Sequence, residues 1–222
     1  MIALSLISES HLALQDTISE KSARNILQQN RLFHMPVVDH NNEFLGMLCE
    51  EDIPTKPSDT LLLHDIQNKF LQIKVFAHQH IYEIIEKTFS QELSCIAVVD
   101  DNNNYIGLIT CNSLIKYFAN IASLNQPGAI LILEMHTKDY TLQKITQIIE
   151  ENSGKILSLY STIIPDSTKI ELTLKLNTHD IGEIIAELNR FDYTIKTYFE
   201  GVSKLHELYK TRIDNLTHYL NM

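Results

Sequence analysis

Residues 36–46 read PVVDHNNEFLG and residues 97–107 read AVVDDNNNYIG, so one pattern returns after 61 positions. Extended without a gap to residues 36–53 and 97–114, the alignment has six identical pairs among eighteen positions. These pairs are Val37/Val98, Val38/Val99, Asp39/Asp100, Asn41/Asn102, Asn42/Asn103 and Gly46/Gly107. They fall on strand-forming valines and on turn residues, a combination that chance rarely reproduces. The pattern indicates an internal duplication, and such a repeat sets the architecture of a fold.

Each repeat predicts a strand, a turn, a second strand and a helix. The β-branched valines favour the first strand, and the Asp-x-Asn-Asn segment favours a turn because its side chains bond to their own backbone. Asp39 and Asp100 are therefore interpreted as turn formers.

Helices are predicted on both sides of each hairpin. The upstream helices cover residues 19–29 and 80–91, and Ser19 or Ser22 can cap the first of them. The downstream helices are predicted to start at the following residues: Asp52 in the first repeat, and Asn112 or Ser113 in the second.

The order of helix, PVVD strand, turn and G-h-h-T/S-x-x-D segment resembles the CBS (cystathionine-β-synthase-type) domain, where h is an apolar residue. The resemblance places the first CBS repeat at residues 1–60 and the second at residues 61–124. It implies a tandem pair that binds an adenosine derivative between its copies. In that family the carboxylate of the motif acid accepts hydrogen bonds from both ribose hydroxyls, and the Ser or Thr side chain contacts phosphate. Backbone groups just before the PVVD strand bind the adenine.

The resemblance carries these roles onto a set of residues in which each repeat keeps half of the motif. Asp52 matches the ribose acid, whereas Cys49 replaces the hydroxyl residue. In the second repeat Thr110 keeps the hydroxyl, but Ser113 replaces the acid and Ala97 the proline. The candidate ligand-binding residues are therefore Met35, Pro36, Cys49 and Asp52 in the first repeat and Ile96, Ala97, Thr110 and Ser113 in the second.

Charge limits the kind of ligand that this pair could hold. Lys and Arg are few in the two repeats, so two or three phosphates would lack cationic partners. AMP, ADP or another adenosine-containing metabolite is expected before Mg-ATP, with the first repeat as the preferred site and no obligatory cofactor. The alternative for Asp52 is a purely structural role as a helix N-cap.

The second half of the chain has another pattern, which begins after the break at Pro127 and Gly128. It predicts strands at residues 129–136, 155–164, 169–176 and 194–199 and helices at residues 142–152 and 179–191. The order βαββαβ is the ferredoxin-like arrangement. Residues 127–201 resemble an ACT-like domain, a family of amino-acid-sensing and dimerising modules, but the loop at residues 137–141 lacks the glycine of an amino-acid site.

The tail, residues 202–222, predicts an amphipathic C-terminal helix. Its apolar stripe either packs on its own domain or forms a dimer contact. The predicted fold is thus α/β and α+β, a tandem CBS pair followed by an ACT-like domain and a helix. That architecture is similar to acetoin-utilisation-protein-B-like bacterial regulators.

Composition excludes several function classes. The formal charge is −10, from 18 basic and 28 acidic residues, and no basic cluster suits nucleic acid. No apolar run is long enough to span a membrane, and no signal peptide is recognised, so a cytoplasmic location is expected. No third ligand accompanies His78 and His80 at metal-site spacing, and no nucleophile elbow, P-loop or dinucleotide motif occurs.

The sequence therefore predicts a non-enzymatic regulatory protein. It would sense an adenosine nucleotide or related metabolite through the CBS pair and signal by a conformational change in a homodimer, to a protein target that the sequence does not name. The alternative is a ligand-free homodimeric interaction or scaffold protein.

Overall fold

The computed structural model describes residues 1–7 and 12–200. The chain divides into two compact units between Tyr117 and Phe118. The described strands are β1 (Leu14–Gln15), β2 (His34–Val38), β3 (Phe44–Cys49), β4 (Lys74–Phe76), β5 (Cys95–Val99), β6 (Tyr105–Thr110), β7 (Ile130–His136), β8 (Ile156–Ile163), β9 (Lys169–Leu176) and β10 (Thr194–Phe199). The α-helices are α1 (Glu20–Asn30), α2 (Ile81–Ser90), α3 (Cys111–Ile121), α4 (Leu142–Glu151) and α5 (Gly182–Arg190).

The first unit contains two equivalent three-stranded sheets, as the duplication predicts. In one sheet β2 pairs with β1 in parallel and with β3 antiparallel, and in the other β5 pairs in the same way with β4 and β6. The helices α1 and α2 precede the central strands. Ser19 caps α1, because its hydroxyl accepts the N–H of Ser22, and the cap predicted from the sequence is confirmed.

The two hairpin turns hold the repeats to each other through reciprocal hydrogen bonds. Asn42 Nδ2 donates to the carbonyl of Tyr105 at 2.7 Å, and Asn103 Nδ2 donates to the carbonyl of Phe44 at 3.0 Å. Both asparagines have positive φ, 67° and 70°, which asparagine tolerates better than most residues. The turn residues that revealed the duplication therefore also join its two copies.

Two short segments exchange places between the repeats. The 3₁₀ helix Ala3–Leu6 packs in the core of the second repeat, and the 3₁₀ segment Leu63–Lys69 packs in the core of the first. The backbone N–H of Ala3 bonds to Gln79, and that of Leu63 bonds to Ile18. Each repeat therefore completes its core with residues from the N-terminal part of the other repeat.

The segments that follow the hairpins differ, and the predicted helix at Asp52 is wrong. Glu50–Asp52 form a single 3₁₀ turn that ends at Ile53, which is extended at φ −89° and ψ 123°. Pro54 follows, and a residue before proline is disfavoured in the helical region. Asp52 is thus the last residue of a short turn, so the N-cap role considered for it is also wrong.

In the second repeat the helix is present but begins earlier than predicted. It starts at Cys111, and the hydroxyl of Thr110 accepts the N–H of Ser113 at 3.1 Å. Thr110 therefore occupies the capping position that the sequence suggested for Asn112 or Ser113.

The second unit has the predicted βαββαβ order. Its four strands form one antiparallel sheet in the order β10-β7-β9-β8. Alternate residues of β7 and β9 are buried with α4 and α5 in one core, as the alternating apolar pattern of residues 169–176 predicts. The predicted C-terminal helix at residues 202–222 lies outside the described residues, and no helix within them is long and apolar enough to cross a membrane.

Candidate functional site

The first unit has an open cleft of about 730 Å³ to which both repeats contribute. From the first repeat come residues at the start of β2, at the end of β3 and on α1, and from the second repeat come two residues that follow α2. The lining residues are Arg24, Gln28, Phe33, His34, Cys49, Glu50, Glu51, Thr55, Gln91 and Glu92.

Local structure explains why His34 and Cys49 lie together. They are directly paired at the open ends of β2 and β3. In the described residues β1 pairs only with Val37 and Val38, so it does not cover this end of β2. The cleft therefore lies beside the strand end where the sequence placed the adenine-reading backbone.

His34 connects the cleft to the second repeat. Its Nδ1 accepts the backbone N–H of Ser94 at 3.2 Å and lies 3.3 Å from the Ser94 hydroxyl oxygen. That hydroxyl in turn accepts the backbone N–H groups of Phe33 and His34, at 3.1 and 3.0 Å. Burial lowers the pKa of His34, while the nearby carboxylates of Glu51 and Asp52 act in the opposite direction.

The charged side chains of the cleft are mostly acidic. Glu50, Glu51 and Glu92 line it, and Gln28 Nε2 donates to Glu50 at 3.2 Å. The cation is Arg24, whose Nη2 donates to the carbonyl of Ile53 at 2.6 Å. Arg24 Nε is buried and has no hydrogen-bond partner among the described residues.

Cys49 is the one predicted ligand residue that lines this cleft. Burial raises the pKa of its thiol, so the neutral form is favoured. Asp52 is half-buried outside the lining, and its backbone carbonyl accepts Lys69 Nζ at 3.0 Å. The other predicted residues of the first repeat, Met35 and Pro36, are buried on β2.

The predicted residues of the second repeat lie on β5, at the end of β6 and at the start of α3, outside the lining of this cleft. Ile96 and Ala97 are fully buried on β5. Thr110 and Ser113 are half-buried, and their hydroxyl oxygens lie 3.0 Å apart in addition to the capping bond. Lining residues to which the motif assigned no role include His34, directly before Met35, and Glu50 and Glu51, the two positions between Cys49 and Asp52. For these three residues, the position beside a matched residue is the available signal in the sequence.

Metal binding has no support in the part of the chain that the structure describes. No group of three or more His, Cys, Asp or Glu side chains there has the geometry of a metal site. Cys95 is deeply buried, its thiol donates to the carbonyl of His34 at 3.0 Å, and burial raises the pKa of Cys95 to about 12.

Curated proteins with similar sequences match in part of their length. Homoserine O-acetyltransferase of Methanobrevibacter ruminantium is 30% identical over 96 residues, 42% of this chain and 19% of that protein. Inosine-5′-monophosphate dehydrogenase of Methanocaldococcus jannaschii is 26% identical over 103 residues, 46% of this chain and 20% of that protein. The chain spans about a fifth of the length of these relatives, and the matches fall in the repeat region.

Solved structures with a similar fold cover about half of the chain. A CBS domain pair/ACT domain protein of Thermotoga maritima has a TM-score of 0.48 and 13% identity, covering 54% of this chain and 98% of that one. The CBS domains of a transcriptional regulator from Streptococcus pneumoniae have a TM-score of 0.47 and 18% identity, covering 52% and 98%.

The family comparison agrees with the duplication. Residues 8–55 and residues 71–120 each match the family model of the CBS domain. The matches fall one on each repeat, around the hairpins that the sequence aligns. The chain therefore carries a tandem pair of CBS domains.

Proposed function

We propose that this chain is a non-enzymatic regulatory module whose CBS pair binds an adenosine derivative in the cleft beside His34 and Cys49. The observation that carries the proposal is the composition of the cleft wall, which comes from both repeats. A ligand there contacts Cys49 of the first repeat and Glu92 of the second. Its binding energy then depends on how the repeats are arranged, which is the requirement for a population shift.

The second unit is the proposed route by which such a shift reaches a partner. We propose an ACT-like regulatory role for residues 127–201, supported by the strand order of their sheet. The same proposal includes domain boundaries at residues 60, 124 and 201, a homodimer, a cytoplasmic location and a similarity to acetoin-utilisation-protein-B-like regulators.

Thermal denaturation and calorimetry with adenosine, AMP, ADP, ATP and S-adenosylmethionine test the sensor function. A ligand that binds only the folded state stabilises it by about 2.7 kcal/mol at one hundred times its Kd. Failure of every one of these compounds to raise the melting temperature at millimolar concentration would contradict the proposal.

A matched pair of variants on α1 locates the site. Gln28 lines the cleft and Gln29 is its exposed neighbour outside the lining. We expect Gln28→Ala to weaken ligand binding several-fold and Gln29→Ala to leave it unchanged. Equal effects of the two substitutions would place the ligand elsewhere.

A second candidate, the ligand-free homodimeric interaction protein, is favoured by the surface of the second repeat. Tyr82, Phe89 and Ile115 are 66%, 84% and 67% exposed there. The positions equivalent to Tyr82 and Phe89 in the first repeat are Lys21 and Gln28. Tyr82 and Phe89 lie seven residues apart on α2 and therefore on one face of that helix. Exposed apolar patches are typical of protein contacts.

Sedimentation at several protein concentrations tests this second candidate. Under it, Phe89→Ser reduces the dimer fraction, whereas Gln28→Ser does not, and no adenosine derivative changes either result. A monomer at all concentrations contradicts the interaction function without bearing on ligand binding.

A further inference from the structure

The bonds between His34 and Ser94 determine which nitrogen of the imidazole carries a proton. Nδ1 receives the backbone N–H of Ser94 at 3.2 Å. A nitrogen that accepts a hydrogen bond cannot itself carry a hydrogen, so the proton of the neutral ring is on Nε2. The Ser94 hydroxyl, 3.3 Å from Nδ1, can donate to the same lone pair. These bonds cross from one repeat to the other and hold the ring in its neutral form.

With the ring neutral, Arg24 is the one cation among the lining residues of the cleft, against three carboxylates. Glu50, Glu51 and Glu92 line the same cleft, and the guanidinium of Arg24 donates to the carbonyl of Ile53. A phosphate dianion in this space would face like charges with few partners, and like-charge contacts at a partly desolvated site are a common means of excluding a ligand.

The second ring nitrogen of the imidazole, Nε2, remains available to a ligand. His34 Nε2 makes no hydrogen bond to any of the described residues, and the ring lines the cleft. Its N–H can therefore donate to a neutral acceptor such as a ring nitrogen or a hydroxyl oxygen.

We propose that His34 is the specificity-determining residue of this cleft. With His34 in place, the cleft admits neutral or cationic adenosine derivatives that lack phosphate groups, and it excludes nucleotides. In the bound state Nε2–H donates to an acceptor atom of the ligand while Nδ1 keeps its bond to Ser94. This inference rests on the proposed function, and it replaces AMP and ADP as the expected ligands.

The groups around His34 come from several elements. Arg24 lies on α1, Glu50, Glu51 and Asp52 form the turn after β3, and Glu92 follows α2. Cys49, the strand partner of His34, is kept neutral by burial. Acidic groups therefore predominate around the ring, so replacement of the neutral imidazole by a permanent cation should shift the ligand preference toward phosphate-bearing compounds.

Calorimetry on the full chain at about pH 8 tests the proposal directly. Adenosine, 5′-methylthioadenosine and AMP are titrated separately, and the two unphosphorylated compounds are expected to bind at least about tenfold more tightly than AMP, a difference of about 1.4 kcal/mol. His34→Arg places a permanent cation in the cleft and should shift the preference toward AMP by about tenfold. Gln29→Arg adds the same charge outside the cleft and should leave the preference unchanged.

The outcomes separate this inference from the function on which it rests. Binding of AMP as tight as that of adenosine by the unchanged protein overturns the selection against phosphate and leaves the sensor function intact. An unchanged preference in a folded His34→Arg variant that still binds overturns the role of His34. Absence of binding by all three compounds overturns both proposals.

Discussion

Gly46, identical in the two repeats, illustrates how a single residue position restricts the sequence. Its φ is +147°, and a Cβ atom there would lie 2.6 Å from the Cβ of Phe70 and 2.9 Å from Gln72 Nε2. Gly46→Ala therefore adds backbone strain to a steric clash, and we expect it to lower the free energy of unfolding by about 2–4 kcal/mol. Urea denaturation measures the change.

Gly182 provides the control for this prediction. It is the first residue of α5, and among the described residues a Cβ atom there would meet only Asp180 Oδ1, at 3.8 Å. Alanine is favoured over glycine in helices, so Gly182→Ala should be neutral or stabilising by up to about 1 kcal/mol. If Gly46→Ala lowers the free energy of unfolding by no more than Gly182→Ala does, the argument from the positive φ and the close contacts of Gly46 is contradicted.

Burial of His34 predicts a dependence of stability on pH. Burial lowers the pKa of His34 in the folded protein below the ordinary value of 6.5. The unfolded chain therefore takes up this proton first as the pH falls. The stabilisation is complete above pH 6.5 and is lost as the pH falls through 6.5 toward the lower folded pKa.

Urea midpoints between about pH 8 and pH 5 measure this effect. Glutamine does not titrate, so the His34→Gln variant should lose less stability over that range than the unchanged protein. The remaining histidines are common to both proteins and do not affect the comparison. Identical pH profiles for the two proteins would show that His34 is not held neutral.

At the scale of elements, the hairpin turns are expected to be energetically coupled. Asn42→Gly preserves the positive φ and removes the bond to Tyr105, at a cost of about 1 kcal/mol. Asn42→Ala adds the strain of a positive φ, about 1 kcal/mol more. Because Asn103 makes the reciprocal bond to Phe44, the double variant Asn42→Gly/Asn103→Gly should deviate from additivity by at least about 0.5 kcal/mol. Simple additivity would mean that the two turns act independently.

The start of α3 gives a prediction that separates structure from ligand binding at Thr110. Its hydroxyl accepts the N–H of Ser113, so Thr110→Val should lower the free energy of unfolding by about 1 kcal/mol. The affinity for any adenosine derivative should not change, since Thr110 is not part of the cleft lining. Asn112→Ala, on the exposed first turn of α3, is the control and should change stability by less than about 0.5 kcal/mol. A loss of affinity in Thr110→Val would return this residue to the ligand site.

The elements show what sequence patterns could and could not predict here. Alternation placed β9 at residues 169–176 without error because one face of that strand is buried throughout. The helix predicted at Asp52 was wrong because motif matching outweighed the local effect of Pro54. The lining of the candidate cleft was only partly predicted: Cys49 was identified from the motif, whereas His34 acquires its environment from Ser94, a residue 60 positions away. A contact of that kind leaves no periodic signal in one sequence.

On the scale of the whole first unit, the exchanged segments should make the two repeats depend on each other for stability. Leu63 is fully buried in the core of the first repeat, although it lies at the start of the second repeat in the chain. Leu63→Ala should cost about 2–5 kcal/mol, as large-to-small changes in a core do. Leu62→Ala, at a neighbouring position that is 37% exposed, is the control and should cost less than about 1 kcal/mol.

Native-state hydrogen exchange on amides of β2 and β5 shows whether that loss is shared. The reciprocal turn bonds and the exchanged segments leave neither repeat with a complete core of its own. Opening of the first repeat should therefore open the second, and Leu63→Ala should reduce the protection of both strands by the same free energy. A reduction confined to β2 would show that the repeats unfold separately and would contradict their mutual dependence for stability.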